Sequence, residues 1–232
     1  MRKRISSLAP RNVPGTPRPL PTVLPPERVR AWQETYEATS YRNLPWFSRR
    51  PNPWLEESVR VGWLRRGSRV LDVGCGAGTN VLWLARQGFS ASGIDIAPGA
   101  IRAAEARARA ARLAVDLRVA DALALPYPEG WFHAATDTGS FHTLPPHQRP
   151  LFAAEMARVV RPGGIYLSSC AAREETREMG PPYRLSVEEV LHVFEPLFQL
   201  RACRYRPSRR GSLRGYDFAL ERRRTPQPPP RP

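Results

Sequence analysis

The chain has 232 residues, 41% of them apolar, which is enough for a sizeable core and fits a soluble globular protein. Its net charge of +15 sits at the ends: residues 1–30 carry seven Lys/Arg against one acid and residues 201–232 ten Arg against two, while 31–200 carry 19 Arg against 18 acids. Three cysteines (Cys75, Cys170, Cys203) in no metal spacing argue against a disulfide framework or a zinc site and for a reducing cytoplasm, and neither a membrane-spanning run nor an apolar leader behind Met1-Arg2-Lys3-Arg4 is present.

Residues 1–26, studded with proline and arginine, read as a disordered tail, as do 223–232. The basic ends suit either non-specific attraction to nucleic acid or plain solvated tails. The near-absence of lysine, an arginine bias of the whole chain, favours the second. Residues 27–66 form a helical cap: Val29, Trp32 and Tyr36 recur at helical spacing over 28–39, an aromatic loop follows from Tyr41 to Phe47, and Pro53 opens a second helix. This piece either folds over a ligand mouth or merely packs its aromatics on the body.

The body, 67–222, alternates strand and helix. Val70-Leu71 with Val73 is a buried strand; Thr79 to Arg86 a helix; Phe89 to Ile94 a second strand ending at Asp95; Ala97 to about Leu113 a long helix. Val115 to Asp121 and Trp131 to Asp137 are the third and fourth strands. Leu151 to Val160 is a helix stopped by Arg161-Pro162-Gly163-Gly164, and Ile165 to Cys170 the fifth strand. Ser186 caps a helix to about Leu197, and 198–205 and 216–220 are closing strands, the last pair antiparallel. The expected fold is α/β in three layers: a doubly wound, mostly parallel, seven-stranded Rossmann-like sheet with an antiparallel last strand.

The stretch that organises this body is Val70-Leu71-Asp72-Val73-Gly74-Cys75-Gly76-Ala77-Gly78. A strand breaking into glycines and then a helix lets backbone N–H groups face a ligand at close range. A carboxylate at Asp95, at the end of the next strand, is placed to accept both hydroxyls of a ribose. The dinucleotide fingerprint puts its third glycine one residue later, where Thr79 stands, and has no acid at the position of Asp72. Asp95, Asp121 and Asp137 each close a strand at the edge where such sheets bind ligands.

The nine-residue string with Asp95 resembles the first two motifs of class I S-adenosylmethionine-dependent methyltransferases, a likeness that extends over roughly 45–222. The resemblance implies that Gly74, Cys75, Gly76 and Gly78 hold the methionine moiety of S-adenosyl-L-methionine, with Asp72 buttressing the turn or reaching the amino group. It implies Asp95 on the ribose, Ile96 on the adenine face, Asp121 with Ala122 on the adenine edge, Asp137 beside the methyl donor and no metal. Leu44-Pro45-Trp46 and Gly139-Ser140-Phe141-His142 are similar to elements of the thiopurine and tellurite-resistance branch. That adds Trp46 as a pocket aromatic and His142 as a substrate-facing residue, either a base for a thiol or amine or a packing histidine. Gly180 to Ser186 resembles a segment near the substrate mouth, or is a helix-entry turn.

The implied reaction is in-line methyl transfer to the S, N or O nucleophile of a small molecule. The alternatives are a nucleic-acid methyltransferase and a basic-tailed binding protein of the same fold. Base methylation at exocyclic amines calls for Asn/Asp-Pro-Pro-aromatic after the fourth strand; here that place holds Asp137-Thr138-Gly139-Ser140, and Pro181-Pro182-Tyr183 follows the fifth strand instead.

Overall fold

The computed structural model describes residues 23–176, 183–207 and 213–224. The expected tails therefore lie almost wholly outside the described residues, as do Gly180, Pro181 and Pro182. In chain order the elements are α1 (Pro26–Ala38), α2 (Pro53–Arg60), β1 (Arg69–Val73), α3 (Thr79–Arg86), β2 (Ser90–Asp95), α4 (Pro98–Ala111), β3 (Asp116–Val119), β4 (Phe132–Thr138), α5 (Arg149–Val159), β5 (Val160–Ala171), α6 (Val187–Phe194), β6 (Phe198–Arg206) and β7 (Gly215–Arg222).

The seven strands form one sheet in the order β3-β2-β1-β4-β5-β7-β6. Strand β7 runs antiparallel to both neighbours, and the other pairings are parallel. The order reverses between β1 and β4, so the carboxyl ends of β1, β2 and β4 flank the crevice where a doubly wound sheet takes its ligand. Successive residues of β1 point to opposite faces. Val70 joins a core with Trp54 and Leu55 of α2, Val81, Leu82 and Leu84 of α3 and Ile101 of α4. Leu71 and Val73 join the other, with Phe152 and Met156 of α5 and Phe194 of α6. That is the three-layer arrangement expected.

Local chemistry sets the element ends. Asn52 caps α2, its side chain accepting the Trp54 N–H at 2.8 Å, and Ser186 with Glu189 forms a reciprocal capping box at α6. One expectation is revised. Strand β5 begins at Val160 rather than Ile165, because Phe132 pairs with Val160 and Ala134 with Ile165, leaving Arg161–Gly164 as a wide bulge within one strand. Gly163 supplies φ +75°, and a Cβ on Gly164 would lie 2.6 Å from the His133 carbonyl, so the stop signal works as a bulge.

Candidate active site

Strand β1 delivers the chain into a turn in which Gly74, Gly76 and Gly78 all have positive φ, at +65°, +54° and +82°. The two outer glycines are also spaces that neighbours need. A Cβ on Gly74 would fall 1.9 Å from Ser140 Oγ, and one on Gly78 3.0 Å from the Ala104 Cβ of α4. The Cys75 side chain is buried against Gly93, leaving its backbone to shape the turn. The turn is tied to β2 by the Gly76 N–H, which donates to Asp95 Oδ2 at 2.9 Å.

Asp95 is buried, and its Oδ1 accepts the Ala97 N–H at 2.9 Å. Each carboxylate oxygen thus keeps acceptor capacity beyond its one backbone donor. Burial pushes its pKa up to about 6, against the stabilising backbone N–H groups. Asp72 is 1% exposed, and its Oδ2 has no hydrogen-bond partner. Burial first, then the nearby Asp137 carboxylate, raise its pKa to about 8, partly opposed by the Asn80 side chain and the Val81 N–H. Ile96 and Ala122, next in the chain to Asp95 and Asp121, are half-buried.

Two of the sequence-derived acids are otherwise engaged. Asp137 is saturated: Oδ1 accepts the N–H groups of Ser140 and Phe141 at 2.8 and 3.1 Å, and Oδ2 the hydroxyls of Tyr166 and Ser168 at 2.5 and 2.7 Å. With two donors on each oxygen it is a staple holding β4, β5 and the turn after β4, with no acceptor capacity left for a ligand lying beside it. Asp121 accepts the Leu123 N–H on Oδ1 and the N–H groups of Val23 and Leu24 on Oδ2, all within 2.8 Å.

His142, open between a base and a packing histidine, is buried with one ring nitrogen engaged by β5. Its Nδ1 accepts the Ala171 N–H at 2.8 Å, so the neutral ring carries its hydrogen on Nε2 and can only donate there. Burial and the Arg206 guanidinium lower its pKa to about 4, so the ring stays neutral near pH 7. Trp46 is 51% exposed, edge-on to Trp32, and its Nε1 donates to Tyr36 Oη at 3.4 Å.

The structure adds residues that spacing did not single out as functional. Tyr36 of α1 reaches over the turn, its hydroxyl 3.0 Å from where a Gly76 Cβ would be. Asn52 and Asn80 both donate to Thr138 Oγ1 at 3.1 Å, and Asn52 also to Ser169 Oγ at 2.8 Å, pinning the start of α2 to the carboxyl ends of β4 and β5. Tyr36 lies in the helix read from the sequence, but a tyrosine on an amphipathic helix carries no mark of what it covers. Among the described residues no cluster of three His, Cys, Asp or Glu side chains is placed to hold a metal, and no helix is long and apolar enough to cross a membrane.

Residues 70–164 match the family described as a methyltransferase domain. A demethylmenaquinone methyltransferase of Thermus thermophilus is 34% identical over 158 residues, 66% of this chain and 71% of that one. The chain belongs to the class I S-adenosylmethionine-dependent methyltransferases. An uncharacterized protein of Mycobacterium tuberculosis is 42% identical over 106 residues, and there the match spans 46% of this chain but only 38% of that relative's length. A solved structure described by the conversion of a disulfide bond into a thioacetal group during echinomycin biosynthesis superposes with a TM-score of 0.75, covering 84% of this chain and 92% of that one at 22% identity. That likeness bears on the fold.

The methyltransferase donor is a test of the residues present. It carries an ammonium, a sulfonium and a ribose diol. Against these the turn offers a buried carboxylate oxygen without a partner at Asp72, a second carboxylate with spare acceptor capacity at Asp95, and glycines that leave backbone exposed. The residues fit.

Proposed function

We propose that this protein transfers the methyl group of S-adenosyl-L-methionine to a nucleophilic S, N or O atom of a small molecule. One observation carries the reading: the orphaned Oδ2 of Asp72, walled into the sheet beside the glycine turn. A buried carboxylate oxygen without a donor is unfavourable and is relieved by a cationic ligand. The donor supplies an electrophilic methyl on sulfonium.

The chain's own contribution is alignment. Asp72 and the turn hold the amino-acid end and Asp95 the ribose, so that the acceptor meets the methyl in line, which is the main source of rate for such a displacement. The family brings no requirement for a general base, and His142 supplies none; its Nε2–H is a donor that can orient an acceptor. Asp137 and Ser140 act one step back, fixing the turn after β4 against Gly74.

A small-molecule acceptor is supported by the near-neutral body, by the absence of the base-methylating motif after β4 and by the Thermus relative, which is named for methylation of demethylmenaquinone. We also infer a cytoplasmic setting, from cysteines that are all unpaired. The test is titration calorimetry with S-adenosylmethionine and S-adenosylhomocysteine, then a screen of small thiols, amines, phenols and halide ions for S-adenosylhomocysteine formation. Binding of a nicotinamide or flavin nucleotide with none of either compound would refute the proposal.

A further inference from the structure

One of the two acids that the nucleoside reading assigns, Asp121, meets hydrogen-bond donors from an early segment of the same chain, and that segment also crosses the glycine turn beside the other, Asp95. At Asp121 the backbone N–H groups of Val23 and Leu24 converge on Oδ2, each at 2.7 Å. Over the turn stands the Tyr36 hydroxyl, 3.0 Å from the missing Gly76 Cβ and accepting from Trp46 Nε1 at 3.4 Å, while the Gly76 N–H beneath it donates to Asp95. The groups a nucleoside presents to such acids are an exocyclic amine and two ribose hydroxyls. Two N–H groups and one O–H offer the same polarity.

We propose that residues 23–38 occupy the nucleoside half of the site in the cofactor-free protein, the Val23 and Leu24 N–H groups standing in for the adenine amine and the Tyr36 side chain covering the turn where the ribose would lie, and that the segment leaves when the donor binds. This rests on the cofactor reading above. The segment satisfies Asp121, which is 4% exposed and would otherwise be a buried carboxyl group with a single donor.

Its attachment is light enough to be reversed. Leu24 is buried in the core that also holds Leu123 and Leu125, yet no residue of α1 is fully buried. Beyond Leu24 the helix is held by Val29, partly buried against the same core, by the Arg28 guanidinium donating to the Thr143 carbonyl, by Tyr36 against Gly99 and by the Trp32–Trp46 edge contact. A helix that buries no side chain completely gives up little apolar contact on moving.

Val23 is 45% exposed, so Val23→Pro removes one N–H from Asp121 and little packing. Tyr36→Phe removes only a hydroxyl and keeps the fold if the proline does not. The expected result is that Val23→Pro binds S-adenosylhomocysteine about tenfold more tightly than the native chain, the equivalent of one hydrogen bond to a charged group, and that Tyr36→Phe shifts affinity the same way. Hydrogen exchange supplies the second measurement. The amides of residues 23 and 24 are protected without ligand, and adding S-adenosylhomocysteine accelerates their exchange. Slower exchange on binding, or weaker or unchanged affinity in both variants, would overturn the competition, because the segment would then clamp the ligand rather than mimic it. If no form of the protein binds S-adenosylhomocysteine, the cofactor reading falls and takes the competition with it.

Discussion

If Asp72 is the partner of the donor's ammonium, it must give up a proton to become so. Its carboxyl is pushed up to about 8, so at pH 7 about nine-tenths of the free protein holds it protonated, and at pH 9 about one-tenth does. Ligand binding that requires the ionised form therefore releases about 0.9 proton from Asp72 at pH 7 and about 0.1 at pH 9, and the native affinity relative to a variant that cannot ionise there rises about tenfold across that interval. The donor's own α-amino group titrates in the same range, with a reference value near 8. The quantity to read is therefore the difference between the native protein and Asp72→Asn, which keeps the volume and cannot ionise.

Calorimetry of S-adenosylhomocysteine binding in buffers of different ionisation enthalpy gives that difference directly. A carboxyl whose folded pKa lies above its unfolded value of 3.8 also makes the native state hold more protons than the unfolded state. Stability of the free protein should fall as pH rises from about 4 to about 8 and then level, with a slope of up to about 1.4 kcal/mol per pH unit from this group. Asp95, raised to about 6, adds the same sign between about 4 and 6. Equal proton release by the native protein and Asp72→Asn at pH 7 would refute the assignment.

Asp95→Ala should weaken S-adenosylmethionine binding by about 1.5–3 kcal/mol for each charge-assisted hydrogen bond lost, and unchanged affinity in calorimetry would reject the ribose assignment. Gly74→Ala should destabilise by about 2–4 kcal/mol in urea unfolding, because the turn's φ of +65° and the Ser140 Oγ at 1.9 Å both oppose a Cβ. Adding Ser140→Ala should recover the steric part but not the backbone strain. Asp137→Asn should lower stability by about 2–4 kcal/mol, since its amide nitrogen cannot accept from donors that occupy both oxygens; a thermal midpoint equal to the native one would refute the staple. With an acceptor in hand, the pH–rate profile should show no limb between pH 5.5 and 8 that His142→Gln removes, because the ring is already neutral there.

The sheet was legible because each βα unit carried redundant signals. Strand β1 is an apolar run ended by glycine, α3 has apolar residues at helical spacing, and α6 announces itself by Ser186 and Glu189 three residues apart. The glycine turn was equally plain, since only glycine tolerates three positive φ values in five residues. What stayed hidden depends on contacts across long sequence separations. Arg161–Gly164 reads as a stop because it is one locally; it is a bulge only because Phe132 pairs with Val160 on its far side. The histidine was found, but its tautomer is fixed by the Ala171 N–H, 29 residues away. Tyr36 and the Val23–Leu24 amides carry no sequence signal, backbone amides being common to nearly every residue.

Four aspartates near one edge of a sheet look alike in sequence, and position does not separate the ligand-binding ones from the structural ones. Remaining acceptor capacity does. A carboxylate has room for about four donors. Asp137 has four and is finished. Asp95 has one on each oxygen and can take a diol; Asp72 has a whole oxygen unclaimed in a site that excludes water, so a cation is the ligand that suits it. Asp121 is the intermediate case, with one backbone donor from its own turn and two from a segment almost 100 residues earlier. A structural acid is met by donors from the elements it joins, as Asp137 is by β5 and its own turn. An acid met by a helix lead-in with little other anchorage is one whose donors can be exchanged, and on the competition proposed above that difference in attachment separates Asp121, open to a ligand, from Asp137, which is a staple.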